Sequence, residues 1–114
     1  MILPLEIALK GLPYRRDALD VLYAKACGKQ IILYFKNGEK FIHNMKLCEF
    51  EKLVTGWGYM RVHDSYVVLL KAIIRVKWLK AYINHKDYIP LSRKSNARVK
   101  LYVQRRHNRL HNTI

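Results

Sequence analysis

The sequence predicts a mostly β domain with one short internal helix and a basic helix near its C-terminal end. Most apolar segments are short and stop at turn-forming residues, as strands do. Some of them alternate apolar with polar residues, and others are apolar throughout. A helical period is found only around residues 46–54 and 93–109. The chain has 114 residues, of which 51% are hydrophobic, so one folded domain is expected rather than two domains or a disordered chain.

Strands are predicted first at residues 2–10, 18–26 and 29–36. The sequence Asn37-Gly38 follows the third of them. Because Asn-Gly supplies the positive φ values that a tight hairpin turn requires, residues 40–43 are predicted to be the return strand.

A short helix is predicted at residues 46–54, where the period changes. Leu47, Phe50 and Val54 fall on one helical face. Asn44 is the predicted N-cap residue, and the glycines at 56 and 58 are expected to end the helix.

The second half of the chain predicts further strands. Residues 66–70 are almost all apolar, which indicates a strand covered on both faces. Residues 73–78 alternate, and residues 80–84 and 88–91 are interpreted as a hairpin.

Ser92 is the predicted N-cap of a basic helix at 93–109. The chain is accordingly divided into a domain over residues 1–108 and a basic C-terminal tail over residues 109–114.

Positive charge is large and unevenly distributed. The net charge is +14, and residues 71–114 hold 12 Lys or Arg but a single acid, Asp87. A polyanion is therefore the expected partner, with nucleic acid first and an anionic membrane surface second. No apolar run approaches the ~18 residues of a membrane span. The N-terminal stretch has an acid, Glu6, and lacks a basic start, so we interpret it as a strand rather than a signal peptide and expect a cytoplasmic protein.

The sequence offers little to catalysis or to metal binding. Cys27 and Cys48 form no C-x-x-C motif and are expected to be free, buried or half-buried residues. His107 and His111 have a spacing that could hold a metal, but no Cys or carboxylate stands near them in the sequence. Since no nucleophile–base pattern, glycine-rich phosphate loop or carboxylate pair is visible, we expect neither an enzyme nor a cofactor or metal site.

The aromatic residues could serve as stacking platforms for single-stranded nucleic acid. They lie within strand or helix patterns among aliphatic neighbours, which favours core packing instead. The residues in question are Tyr23, Tyr34, Phe35, Tyr66, Trp78 and Tyr102.

Two segments resemble the signatures of a known family. Residues 58–68 read Gly-Tyr-Met-Arg-Val-His-Asp-Ser-Tyr-Val-Val, and residues 89–93 read Ile-Pro-Leu-Ser-Arg. Both resemble signatures of the LytTR DNA-binding domains. Residues 20–23, 30–41 and 45–54 are similar to the opening strand, the hairpin and the short helix of that family.

This resemblance covers roughly residues 3 to 105. It implies an elongated fold of antiparallel β-sheets that binds duplex DNA through loops at one edge and regulates transcription. Family members usually follow a receiver domain. Since only about a dozen residues precede the domain here, a stand-alone member is expected. The resemblance also implies paired, directly repeated DNA half-sites, with weak or no dimerisation without DNA, and leaves room for an unidentified regulatory protein partner.

The first DNA-facing loop that the resemblance implies is the turn that contains Lys29 and Gln30. Lys29 stands where the family has a residue that reaches a base or a phosphate, and lysine can do either.

The second such loop is residues 61–65. Arg61, His63 and Ser65 belong to the signature, with Ser65 expected at a phosphate and His63 either at the DNA or holding the loop by a hydrogen bond. Asp64 departs from the family pattern. It is interpreted as a cytosine reader, a rejector of other bases, or an ion-pair partner that orients Arg93 or Lys29.

The third such loop contains Ser92, Arg93 and Lys94. Arg93 is the leading candidate for a bidentate contact to guanine, and Ser92 can offer its hydroxyl and N–H groups to a phosphate. Lys94, Arg98 and Lys100 are expected to be phosphate neighbours. The alternative function is a basic RNA-binding or ribosome-associated protein, or a membrane-surface adaptor.

Overall fold

The computed structural model describes residues 21–112, with side chains to residue 108. Within that range the fold is mostly β: eight strands form two antiparallel sheets, and two α-helices accompany them. The dimensions are 43 × 31 × 25 Å. The predicted fold class is therefore confirmed, including its elongated form. The strand predicted at 2–10 and the start of the one predicted at 18–26 lie outside the described residues.

The larger sheet has the strand order β3-β2-β1-β5-β4. Its strands are β1 (Val21–Cys27), β2 (Gln30–Phe35), β3 (Lys40–His43), β4 (Tyr59–His63) and β5 (Tyr66–Leu69). The hairpin predicted at Asn37-Gly38 joins β2 to β3. Of these two residues, only Gly38 takes a positive φ, of 88°. The side-chain oxygen of Asn37 accepts a hydrogen bond from the Glu39 N–H at 3.0 Å.

The smaller sheet consists of β6 (Arg75–Lys77), β7 (Lys80–Tyr82) and β8 (Tyr88–Pro90) in sequence order. The hairpin predicted in this segment joins β7 to β8. A 3-10 helix, Leu70–Ala72, precedes β6, so β6 is shorter than the strand predicted at 73–78.

The two helices are α1 (Leu47–Leu53) and α2 (Arg93–Asn112), so α2 runs three residues past its predicted end. Ser92 is confirmed as the N-cap of α2, since its Oγ accepts from the Ser95 N–H at 3.1 Å. The predicted cap of α1 is wrong. The chain is still extended at Lys46, the residue before α1, and the Lys46 N–H donates to the Glu49 carboxylate at 3.4 Å.

Two apolar clusters lie on opposite faces of the larger sheet. One of them packs α1 against the sheet and contains Phe50 and Val67. The other contains Val68, Ile89 and Val99, and joins the sheet to the smaller sheet and α2. Since the neighbouring residues Val67 and Val68 are both fully buried, the prediction that β5 is covered on both faces is confirmed.

The structure corrects three burial predictions. Cys27 and Cys48 are free but exposed, because Cys27 ends β1 at a turn and Cys48 lies on the outer side of α1. Trp78 is 71% exposed, because it falls in the turn between β6 and β7 and not within a strand.

Candidate nucleic-acid interface

Five segments lie side by side at one edge of the molecule, and four hydrogen bonds connect them in order. We call this set the loop edge: the β3–α1 link (44–46), the β1–β2 turn (27–30), the β4–β5 turn (63–65), the start of α2 (92–94) and the β6–β7 turn (78–79). The first bond, Gln30 Nε2 to Asn44 Oδ1, joins two of these segments directly. In the other three, Ala26 N to Ser65 O, Ser92 N to Val62 O, and Leu91 N to Leu79 O, one partner (Ala26, Val62 or Leu91) is the residue just before its segment; all four bonds are 2.8–2.9 Å long.

The β1–β2 turn holds Lys29 at the surface. Gly28 takes a positive φ of 62°, a conformation that glycine adopts at little cost. Lys29, the next residue, is exposed. Gln30 is exposed as well, but its amide is bound to Asn44. In the free protein Gln30 therefore holds the β3–α1 link in place, and Lys29 is the cation of this turn that faces solvent.

Two signature residues of the β4–β5 turn are bound to the protein itself. The Arg61 guanidinium donates to the Asp64 carbonyl at 2.6 Å and pairs with the Glu51 carboxylate on α1 at 3.5 Å. Nδ1 of His63 accepts from the Ser65 N–H at 3.1 Å. Arg61 and His63 therefore shape the turn, as the hydrogen-bonding alternative for His63 expects.

Asp64 is exposed at the tip of the β4–β5 turn. Among the described side chains it pairs with neither Lys29 nor Arg93; Arg61 and Glu51 form the ion pair found there. The predicted orienting ion pair is thus not formed in the free protein. Ser65, which is half-buried, contributes its backbone N–H and carbonyl to the turn.

The start of α2 presents positive charge and backbone donors together. Ser92 Oγ is occupied, since it accepts from Ser95 N and donates to Ser95 Oγ at 2.8 Å. Asn96 N donates to the Ser92 carbonyl. In the described part of the chain this leaves the N–H groups of Arg93 and Lys94 for an outside acceptor. Both side chains are exposed, so cationic groups and the helix dipole act in the same direction on an anion.

The basic residues further along α2 divide between two flanks. At 3.6 residues a turn, Arg98 and Lys100 lie about 200° apart around the axis, and Lys100 lies within about 20° of Arg93. The side chains of Arg98 and Lys100 are both exposed. Lys94 and Arg98 lie toward one flank and Arg93 and Lys100 toward the other, so Arg98 and Lys100 face in nearly opposite directions.

Arg106 has a structural position that the sequence did not indicate. It is half-buried, and its guanidinium donates to the carbonyls of Lys71, at 3.1 Å, and of Ile73. It also lies over the Tyr102 ring, 5.5 Å from the centroid. Arg106 therefore fastens α2 to the 3-10 helix region, and its charge is not part of the loop edge.

The β6–β7 turn was not predicted as part of the site. Leu79 has a positive φ of 58°, and its N–H donates to the side-chain oxygen of Asn96 at 2.9 Å. Asn96 is a polar residue on the buried side of α2, 8% exposed. An asparagine on the apolar face of a helix usually has a buried hydrogen-bond partner. Asn96 was therefore the signal in the sequence that could have pointed to this turn.

A layer of tyrosines lies on the sheet face that carries the second cluster. Tyr23 stacks on Tyr34 with centroids 4.2 Å apart and is tilted against Tyr66. Burial, assisted by Tyr34, Tyr66 and Asp87, raises the pKa of Tyr23 to about 12. Tyr23 therefore keeps its proton above the pH at which an ordinary tyrosine ionises.

Comparison with known proteins points to one family. The family model described as the LytTr DNA-binding domain matches residues 14–104. A solved structure from Bacillus cereus, the LytTr DNA-binding domain of a protein described as a methyl-accepting/DNA response regulator, superposes with a TM-score of 0.63. Its sequence is 20% identical, and the match covers 80% of this chain and 86% of that one. None of the curated proteins compared matches this sequence.

Residues 21–112 contain neither a membrane-spanning helix nor a cluster of metal-ligating side chains. This part of the chain has no helix that is long and apolar enough to span a bilayer. It also has no group of three or more His, Cys, Asp or Glu side chains arranged to hold a metal ion.

Proposed function

The chain belongs to the LytTR family of DNA-binding domains, and on that premise we propose that it is a sequence-specific transcription regulator that reads duplex DNA with its loop edge. The single observation that supports this most is the row of hydrogen bonds. It links the three segments that hold the predicted contacts, the β1–β2 turn, the β4–β5 turn and the start of α2. Transcription regulation of this kind takes place in the bacterial cytoplasm.

The proposed contacts divide into those that touch DNA and those that position them. Arg93 is the proposed base reader, because its fork of donors is exposed, fits guanine O6 and N7, and has no partner among the described residues. Lys94, the free N–H groups beside it and Lys29 are proposed phosphate contacts. Ser65 remains a proposed phosphate contact.

The positioning group consists of Arg61, His63, Gln30 and Ser92, whose polar atoms are bound within the protein. The Asp64 carboxylate projects beside them without a partner among the described side chains. A carboxylate at this position accepts from cytosine N4 and repels phosphate, so we propose that it selects among bases rather than adding affinity.

The proposed binding unit is a pair of directly repeated half-sites, about one helical turn or a multiple of it apart, so that two copies lie on one face of the duplex. Little dimerisation is expected without DNA. A protein partner that controls the regulator is part of the same proposal.

The test is a selection of bound sequences from a random duplex library, followed by titration of the enriched duplex and a scrambled duplex of equal length. We expect enrichment of a defined repeat and tighter binding of the enriched duplex. The log–log dependence of affinity on salt should have a slope of roughly −4 to −6 if about 5 to 7 cations meet phosphates. No enrichment together with a slope near zero would refute the proposed function.

A further inference from the structure

The β6–β7 turn displays a large side chain that the proposed contacts leave without a role. Trp78 is 71% exposed, more than any other exposed large hydrophobic residue in the described part of the chain. Its indole N–H has no partner among the described residues. Tryptophan, which combines an apolar ring with a polar N–H, is enriched at binding interfaces.

The turn is held rigidly although its backbone conformation is unfavourable. Leu79 has a φ of 58°, a region that residues with a branched side chain rarely occupy. Its N–H is bound by the buried Asn96 side chain at 2.9 Å, and its carbonyl by the Leu91 N–H at 2.9 Å. Unfavourable backbone geometry that the surroundings enforce is characteristic of functional sites.

The same hydrogen bond fixes where Trp78 lies. Leu91 precedes Ser92, and Ser92 is bonded to Val62 at the end of β4. The β6–β7 turn is therefore the last segment of the loop edge, next to the start of α2. Lys77 and Lys80 flank the turn as a cross-strand pair, and both are exposed. An indole between two lysines suits a chain of phosphates and apolar sugars.

We propose that the β6–β7 turn is an additional DNA contact, which binds the sugar–phosphate backbone just outside the base pairs met by the start of α2. In this contact the Trp78 ring packs on deoxyribose, its N–H donates to a phosphate, and Lys77 and Lys80 face neighbouring phosphates. The contact adds affinity and fixes the position of the domain, but reads no base. This inference rests on the proposed function.

The direct test is a hydroxyl-radical footprint of the wild-type protein and of Trp78→Ala on the enriched duplex. We expect Trp78→Ala to lose protection at one end only, the end nearest the base pair whose preference Arg93→Ala relaxes. Affinity for the enriched and the scrambled duplex should fall about 5- to 30-fold alike, the size expected for one aromatic contact. The salt slope should not change, whereas Lys77→Ala should make it shallower by about one.

A matched control is Ile74→Ala. Ile74 is also an exposed large hydrophobic residue, at 50%, but its N–H donates to the Tyr82 carbonyl, at the end of the smaller sheet away from the Lys77–Lys80 pair. Its footprint should equal that of the wild type. Trp78→Phe should recover most of the lost affinity, and both Trp78 variants should melt within a few degrees of the wild type, because the side chain is exposed.

A second measurement uses fluorescence. The chain has 2 tryptophans, so Trp57→Phe leaves Trp78 as the only one. Quenching of its emission by acrylamide should fall when the enriched duplex is added, and should be unchanged when the same concentration of a neutral dextran is added.

Several results would overturn the inference while leaving the proposed function in place. They are an unchanged footprint and affinity for Trp78→Ala, unchanged quenching on DNA, or a variant that covers a single half-site normally but loses cooperativity between two. The last result would assign Trp78 to a contact between two copies. If the wild-type protein bound no duplex at all, the proposed function and this inference would fail together.

Discussion

Two arginines at the loop edge have opposite surroundings. Arg61, in the β4–β5 turn, is 34% exposed and holds both the Asp64 carbonyl and the Glu51 carboxylate. Arg93, at the start of α2, is exposed and has no partner among the described residues. An arginine surrounded by acceptors of the protein, such as Arg61, shapes a loop. An arginine without such acceptors, such as Arg93, remains free for a ligand.

The largest effect should come from Arg61→Ala. It removes two charge-assisted hydrogen bonds and leaves Glu51 without its partner, which should lower the free energy of unfolding by about 1–3 kcal/mol. Binding should weaken on every duplex, because the β4–β5 turn loses its shape. Thermal melting and titration of both duplexes measure this. Glu51→Gln removes the ion pair alone and should have the smaller effect. Equal affinity for wild type and Arg61→Ala would show that the turn needs no such support.

Arg93→Ala should behave in the opposite way. Loss of a bidentate contact should cost about 1–3 kcal/mol on the enriched duplex and relax the preference at one base pair. Binding of the scrambled duplex and the melting temperature should hardly change, because the side chain has no partner in the free protein. Titration of single-base-pair variants of the duplex identifies the position. An equal loss on both duplexes would make Arg93 a phosphate contact and remove the contrast with Arg61.

A smaller difference is expected between the two flanks of α2. Lys100 shares the flank of Arg93, so Lys100→Ala should weaken the enriched and scrambled duplexes alike and make the salt slope shallower by about one. Arg98→Ala, on the opposite flank, is the matched control and should leave the slope unchanged. Salt titrations of both variants decide the matter. The reverse outcome would mean that Arg98, and not Lys100, is the phosphate contact further along α2.

The smallest effect concerns alkaline pH. The pKa of Tyr23 is about 12 in the folded chain and about 10 when the chain is unfolded. Between these values the folded state keeps a proton that the unfolded state has lost, so stability should fall as pH rises through that window. Denaturant unfolding at pH 9 to 11.5 measures it. The free energy of unfolding of Tyr23→Phe should fall less steeply with pH than that of the wild type. If the two proteins lost stability at the same rate, Tyr23 would be excluded as a source of the pH dependence.

The features that the sequence predicted well depend on neighbouring residues. Gly38 turns the chain, Ser92 caps α2, and the unbroken apolar run of β5 is buried on both faces; each follows from local chemistry. The position of Lys29 in the β1–β2 turn and that of Arg93 at the start of α2 followed from the same reasoning together with the family resemblance.

What the sequence could not predict depends on contacts between distant segments. Asn44 does not cap α1, because the helix begins at Leu47 with Lys46 before it, and the Asn44 side-chain oxygen instead accepts from Gln30 on β2. Trp78 was assigned to the core because it ends an alternating strand pattern, and the turn that exposes it is held by a bond from the Leu79 N–H to Asn96, on distant α2. Arg106 had no predicted role, and only the fold brings the carbonyls of Lys71 and Ile73 to its guanidinium.

The most direct test of the central claim is amide chemical-shift mapping by NMR of the wild-type protein titrated with the enriched duplex. The account predicts the largest shifts in residues 27–30, 63–65, 78–79 and 92–94, and small shifts at the hairpin tips near Gly38 and Asp87. Shifts centred on those tips or on the C-terminal half of α2, with the loop edge unmoved, would contradict it.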